Sequence, residues 1–455
     1  MTEAIAIVGG DAAGMSAASV IARSGDDARV TVFERSGVNS YAACGLPYHV
    51  SRDIHDPSTL LVREPAYFTS KGVDLRLHHE VVDLDTSASA LTVVDRVSAT
   101  SYRHHYDKLL LATGASAIVP PVTGGDAANV FSIRHYDDSP VLVRYIEEHT
   151  PRRCTVIGAS YLGLEMTEAL RAHGLEVTLV EGADRVLPAL DPDMTEVVHT
   201  ELVDQGTEIR LGEPVIGFEQ DEDGLVGAVR TASARWDCDL VVLGLGARPN
   251  IELARRGGVD IDLTGAIGTT DTMMTNVDRI WAAGDCVSTT HRVTGATVWI
   301  PLGPAANKQG RVAGSSMIGG TARFGGVVGT SLVKVFDVHV GRTGLTETEA
   351  RRLGMKVDTT RITADDIAPY YPGSGTTTVK IVADATSSRL LGAQIVGRAG
   401  VPGRTNVVAT ALQAGMTVGD LADLDLGYAP PFAPVWDPLL VAANRLGSTT
   451  RNGEQ

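Results

Sequence analysis

The chain has little cysteine and none of it in pairs. Cys44, Cys154, Cys238 and Cys286 are spread over 455 residues without C-x-x-C spacing, which excludes a disulfide framework and argues against a zinc site. A chain of this length needs no such staples, because it can form about three domains, each with its own core. Long apolar runs are missing too. None approaches the ~20 residues that cross a bilayer, and the chain enters an apolar strand at Ile5 without a basic leader or cleavage pattern, so a cytoplasmic, unprocessed protein is expected. Nor is positive charge concentrated anywhere: net charge is -16, with Lys and Arg scattered. Nucleic acid and membrane are therefore not expected partners. Low-complexity segments are absent.

What is present is a repeated nucleotide fingerprint. Residues 3 to 8 read as a buried parallel strand running into Gly9-Gly10-Asp11-Ala12-Ala13-Gly14; a small-residue helix, Met15 to Arg23, follows, and a second strand, Ala28 to Phe33, ends in Glu34. In such a unit the glycines allow a tight turn, the helix N-terminus offers unpaired N–H groups to a pyrophosphate, and the acid takes ribose hydroxyls. The middle glycine of G-x-G-x-x-G is replaced by Asp11. The pattern recurs as Gly158-Ala159-Ser160-Tyr161-Leu162-Gly163 after an apolar strand, then a helix to about His173 and a strand ending in Glu181. Here Ser160 takes the middle place. Two units imply two bound nucleotides.

Two apolar strands end in glycine turns, at Ala112-Thr113-Gly114 and at Gly244-Leu245-Gly246-Ala247-Arg248-Pro249-Asn250, where the chain would cross from one nucleotide domain to the other. Ala283-Gly284-Asp285 puts a carboxylate after a buried strand, suited to a sugar-alcohol or ribose hydroxyl. A helix begins near Pro301 to Pro304, with proline in its first turn. From about Gly325 the character changes to an α+β module. Val327–Val338, Thr376–Val382 and Gly392–Val396 read as strands, and Thr405–Ala414 and Thr417–Leu424 as helices. The run Tyr428 to Pro438 is too proline-rich for regular structure, and Ser448 to Gln455 reads as a disordered tail.

A lone cysteine sits in Ser40-Tyr41-Ala42-Ala43-Cys44-Gly45-Leu46-Pro47-Tyr48, just after the first unit. In isolation it would be a small buried loop residue. Next to two fingerprints it reads as a redox thiol. Cys44 must ionise to act, and the start of a helix after Ala43 could supply part of the stabilisation its thiolate needs.

Together these motifs resemble the flavin-dependent pyridine nucleotide–disulfide oxidoreductases, over nearly the whole chain. The resemblance implies an α/β fold with two Rossmann-like domains and a C-terminal α+β dimerisation domain. Residues 1–115 and 246–324 would hold FAD, 116–245 would hold NADH or NADPH, and 325–455 would form a homodimer. By matching position, Gly9, Gly10, Ala13, Gly14, Glu34, Arg35, Ser40, Ala112, Thr113, Gly114, Asp285, Pro301 and Ala305 would serve the flavin nucleotide. Gly158, Tyr161, Leu162, Gly163, Glu165, Glu181 and Gly246 would serve the nicotinamide nucleotide. Glu181 suits the free 2′-hydroxyl of NADH, whereas Arg185 close behind it could reverse that preference.

The second cysteine and the C-terminal His-Pro of the glutathione and lipoamide reductases are missing. Cys44 alone, followed by Gly-Leu-Pro-Tyr, with Tyr370-Tyr371-Pro372-Gly373 and Tyr428-Ala429-Pro430-Pro431, resembles the coenzyme A disulfide reductase group and its oxidase, peroxidase and persulfide reductase relatives. That resemblance places Tyr428, and Tyr370 or Tyr371, in the partner subunit's active site as proton donors. Ala43 stands where such reductases often have asparagine, and Val401–Asn406 lacks a lysine frequent there. Arg23 remains available for a phosphate. The expected reaction is reduction of a small disulfide, coenzyme A disulfide-like, or of a persulfide. Alternatives are an oxidase or peroxidase cycling through a cysteine sulfenic acid, and a non-catalytic flavoprotein redox sensor or electron carrier.

Overall fold

The computed structural model describes residues 2–25 and 28–452, with side chains as far as residue 448. Its first sheet is parallel and five-stranded, in the order Ile280–Ala282, Lys108–Leu111, Glu3–Val8, Ala28–Phe33, Val73–Arg76. The inner strands are apolar without alternation because helices and loops cover both faces: Ile5, Ile7, Leu109 and Leu110 are all buried, whereas the edge strand Val73–Arg76 alternates apolar with charged residues. Each such side chain contributes about 1.5–3 kcal/mol by leaving water.

The second sheet repeats this order with different strands. Arg153–Ile157 lies at its centre, Glu176–Glu181 and Glu208–Leu211 on one side, Leu240–Leu243 and Val130–Ser132 on the other. The two crossings between these units pair with each other as antiparallel strands, Ala115–Ala117 with Ala247–Pro249. Asn250 locks them, donating to the Thr113 carbonyl at 2.8 Å and accepting from Ser116 Oγ at 2.7 Å.

The C-terminal sheet is antiparallel, in the order Ser331–Val335, Val338–Gly344, Leu390–Gly397, Thr376–Asp384, Val357–Asp365. The Val401–Ala414 and Pro438–Asn452 helices share its apolar core, which includes Val408, Leu412, Leu439 and Leu446. The tail expected to be disordered from Ser448 is instead helical as far as Asn452, since it continues the Pro438 helix; residues 453–455 lie outside the described residues. Two antiparallel meanders, His79–His105 and Val215–Asp237, were not expected.

Close helix contact shapes the first unit. A Cβ on Gly310 would lie 2.1 Å from the Ala13 carbonyl oxygen, and one on Gly314 would lie 2.7 Å from that of Ala17. The Gly303–Met317 helix therefore lies backbone against backbone on the Ala12–Ser24 helix. No helix among the described residues is long and apolar enough to cross a membrane.

Candidate functional site

The two fingerprints build the same backbone cradle. Gly9 and Gly158 hold φ of 109° and 100°, a region open to glycine and strained for other residues. A Cβ on Gly14 would lie 1.9 Å from the Gly9 carbonyl oxygen, and one on Gly163 1.8 Å from that of Gly158. Each acid closes its loop in the same way. Glu34 accepts from the Gly10 and Ser36 N–H groups, both at 2.8 Å; Glu181 accepts from those of Ala159 and Ala183 at 2.7 and 2.8 Å.

The replaced middle glycines explain themselves here. Asp11 and Ser160 stand at helix N-cap positions, where their residue types normally accept hydrogen bonds from the first turn. Neither does so. The Asp11 carboxylate accepts from the Tyr41 N–H at 3.1 Å, and the Ser160 hydroxyl donates to the Gly244 carbonyl at 2.8 Å. Both helix ends keep donors free for an anion, which fits a pyrophosphate at each.

Asp11 also ties the cysteine loop to the first cradle. Beside its contact with Tyr41, Ser40, itself at φ 49°, donates its N–H to the Gly10 carbonyl at 2.9 Å. Cys44 follows in the 3-10 turn Ala43–Gly45 and is exposed, whereas Cys154, Cys238 and Cys286 are buried. Helical structure does start after Ala43, as the Ala43–Gly45 turn running into the Leu46–Val50 helix, but the net shift of the thiol is upward. Although the residue is open to solvent, surrounding protein desolvates the anion and pushes the thiol up. Glu165 adds to this, and Arg134 opposes it.

Arg134, which no motif marks, pairs with Asp285 at 2.5 Å and takes Asp138 on its backbone N–H at 2.7 Å. Arg35 meets the His135 ring at 3.1 Å. Burial, with a smaller contribution from Glu168, pushes the Glu165 carboxyl up to about 7, against a hydrogen bond from Tyr48. Asp11 is pushed up to about 6, chiefly by burial. Gly284 binds the Asp285 turn to the Gly303 helix through Gln309, at 2.9 Å, and Ala305 is buried in that helix's first turn. Pro301 lies just before it.

Around the second cradle a pocket is lined by Gly158, Ser160, Tyr161, Glu181, Leu187, Pro188, Ala189 and Gly244. Leu162 lies in the helix that starts at Tyr161, and Gly246, at φ 90°, follows the pocket's edge. Arg185 is engaged by Asp184 and the Pro188 carbonyl. Arg404, in the segment that lacks a lysine, is buried against Asp437 and donates to the Asp366 carbonyl. Arg23 lines a small recess with Ser19, Tyr67 and Lys71. Tyr370 and Tyr428 come together, their hydroxyls 3.1 Å apart, on a face where Tyr371, Phe432, Val435 and Trp436 are also exposed. Among the described residues no cluster of His, Cys, Asp and Glu could hold a metal.

Residues 3–310 match the family model of pyridine nucleotide-disulphide oxidoreductases, and 330–438 match the family's dimerisation domain. The NAD(P)H coenzyme A polysulfide/persulfide reductase of Pyrococcus horikoshii is 40% identical, over 98% of this chain and 99% of that protein. An NADH oxidase of Methanocaldococcus jannaschii is 34% identical, over 96% and 97%. The crystal structure of reduced Bacillus anthracis CoADR-RHD superposes with a TM-score of 0.96 at 34% identity, covering 99% of this chain and 81% of that one.

Proposed function

Because this chain belongs to the pyridine nucleotide-disulphide oxidoreductase family, we propose that it is an FAD-dependent NAD(P)H oxidoreductase that reduces a small disulfide or persulfide of the coenzyme A type through Cys44. One observation carries this reading: a single exposed sulfur is hydrogen-bonded through its loop to the first cradle, and the other three cysteines are buried. No second sulfur is placed to form an internal disulfide, so the oxidised partner of Cys44 must come from outside.

When bound, the nicotinamide and flavin supply the electron pair; the rest falls to side chains. The Cys44 thiolate attacks one sulfur of the substrate, forming a mixed disulfide as the substrate S–S bond breaks and the first thiolate leaves; the electron pair that bound cofactors would supply then restores the Cys44 thiolate as the mixed disulfide breaks and the second thiol is released. The departing thiolate takes a proton from a tyrosine hydroxyl, and Tyr428 with Tyr370 or Tyr371 is our choice, contributed by a second copy of the chain. Arg134 favours the anionic sulfur and Glu165 opposes it. Arg23 and Lys71 offer positive charge to a substrate phosphate. We assign residues 1–115 and 246–324 to FAD, 116–245 to the pyridine nucleotide and 325–455 to a homodimer interface, in a cytoplasmic enzyme. Glu181 favours NADH, because a carboxylate at the end of the second strand of such a unit repels a 2′-phosphate.

Mass spectrometry of the Cys44 peptide from protein as purified tests the acceptor: an increment matching coenzyme A or another thiol supports the reading. Cys44→Ser should lower disulfide turnover at least ~1000-fold while the flavin stays bound. Unchanged turnover in that variant would eliminate it. The solvent exposure of Cys44 also suits a sulfenic acid cycle, for which added oxygen on the peptide and NADH loss matched by oxygen uptake are the signatures.

A further inference from the structure

The wall of the nucleotide pocket facing the second fingerprint is the segment from Leu187 to Asp191, and it is held from outside its own domain. Leu187 has φ 46°, an uncommon region for a residue with a side chain, so its surroundings must impose that conformation. Inside the domain it is fixed by its N–H to the Ala159 carbonyl at 2.9 Å. Beyond it, the C-terminal domain takes over. Arg342 donates to the Ala189 carbonyl. Asp191, 1% exposed, accepts from the Glu347 N–H, the Thr348 N–H and hydroxyl, and Gln394 Nε2, while its own N–H donates to Gln394 Oε1. Lys380, whose side chain is 6% exposed, pairs with Asp191 at 3.2 Å, Asp193 at 2.8 Å and Glu347 at 2.9 Å. On the far side of the pocket, the Tyr161 hydroxyl meets Ser331 Oγ at 2.8 Å.

We propose that the C-terminal domain is a working part of the pyridine nucleotide site, with Arg342 and Lys380 as positioning residues that hold the Leu187–Asp191 wall in its nucleotide-accepting shape. Domains can be joined anywhere along their contact. Glu168, bound by Lys334 and the Phe336 N–H, and Glu201, paired with Arg398, join the same two domains outside the pocket lining, whereas the polar anchors named above converge on residues that line the pocket or continue its wall. A buried lysine among three carboxylates is also a costly joint, because each ion must be desolvated, where apolar packing would join the domains more simply. Such packing is present alongside, since Leu187, Leu190 and Met194 share a core cluster with Val333, Val338 and Val340. The polar anchors add what apolar contact cannot, a fixed backbone register at Ala189 and Asp191. The inference rests on the second cradle being the nucleotide site, and not on the reaction at Cys44.

The test is calorimetric titration of the flavin-loaded, full-length Lys380→Met and Arg342→Met enzymes with NAD+. Binding should weaken about tenfold, and the KM for NADH should rise with little change in kcat. Reoxidation of dithionite-reduced enzyme by the disulfide should be unchanged, because it needs no nucleotide. Should Lys380→Met fail to fold, Thr348→Val, which removes one hydroxyl from Asp191, carries the test: about twofold weaker binding supports the inference. Unaltered NAD+ affinity in a folded variant would overturn it. If the parent enzyme failed to bind NAD+ at all, the nucleotide reading would fall and this inference with it; loss of disulfide activity alone would touch neither.

Discussion

The two cradles share backbone geometry but differ in what stands behind them. The helix of the first is braced within its own unit by the Gly303 helix, pressed close enough that Gly310 and Gly314 have no room for a side chain. Its N-cap acid reaches sideways to the cysteine loop. The second is backed by another domain through hydrogen bonds and a buried lysine. One seat is braced within its own unit beside the exposed Cys44 loop, the other has a wall that depends on a neighbour. That difference suits a cofactor that stays and a nucleotide that comes and goes.

The largest effect should come from closing each cradle in turn. Gly14→Val should give protein without visible flavin absorbance, while Gly163→Val should keep its colour yet resist bleaching by NADH, because their Cβ atoms meet the Gly9 and Gly158 carbonyls. Colour lost or kept in both variants would break the division of roles.

A smaller effect separates the two N-cap side chains. The Asp11 carboxyl lies near about 6 in the folded protein against 3.8 for its ordinary value, so the folded state binds the extra proton and stability drops as pH rises from about 4 to about 6. Asp11→Asn escapes this. Measured by denaturation of the flavin-free protein, the variant should be more stable than its parent by about 2 kcal/mol above pH 6, after allowance for partial exposure, with the gap closing toward pH 4. Ser160→Ala should show no such pH dependence over that range, since a hydroxyl does not titrate there.

The smallest effect lies between the cradles. Glu165 is one of the groups that push the Cys44 thiol up, and its own carboxyl ionises near about 7. Glu165→Gln should therefore raise the alkylation rate of Cys44 at pH 8 about threefold, and the advantage should shrink below pH 7 as the parent's Glu165 takes up its proton. An equal advantage at every pH would assign the change to altered access.

The nucleotide units were legible because their signal is local. A strand, a glycine turn, a helix and an acid occur within about thirty residues, and each glycine answers a steric need at its own position. The departures at Asp11 and Ser160 looked like defects in the pattern. They are side chains that bind neighbouring loops and make no capping hydrogen bond to their own helix. The meander strand Thr100–His105, mostly polar and with no buried residue, carries little of the apolar alternation that marks a strand. Arg134 and Lys380 were invisible for a different reason. Their partners, Asp285 and Asp191, are distant in the chain, and only the folded topology brings them together.

The strand Ile280–Ala282 at the edge of the first sheet has a consequence for synthesis. During translation the N-terminal strands emerge early, but that edge is not available until the whole inserted unit has left the ribosome. The inserted sheet can finish first, because all five of its strands lie between Val130 and Leu243. The N-terminal sheet, complete but for the Ile280–Ala282 strand, must wait with its Lys108–Leu111 edge unpaired, an edge open to mispairing in the newborn chain.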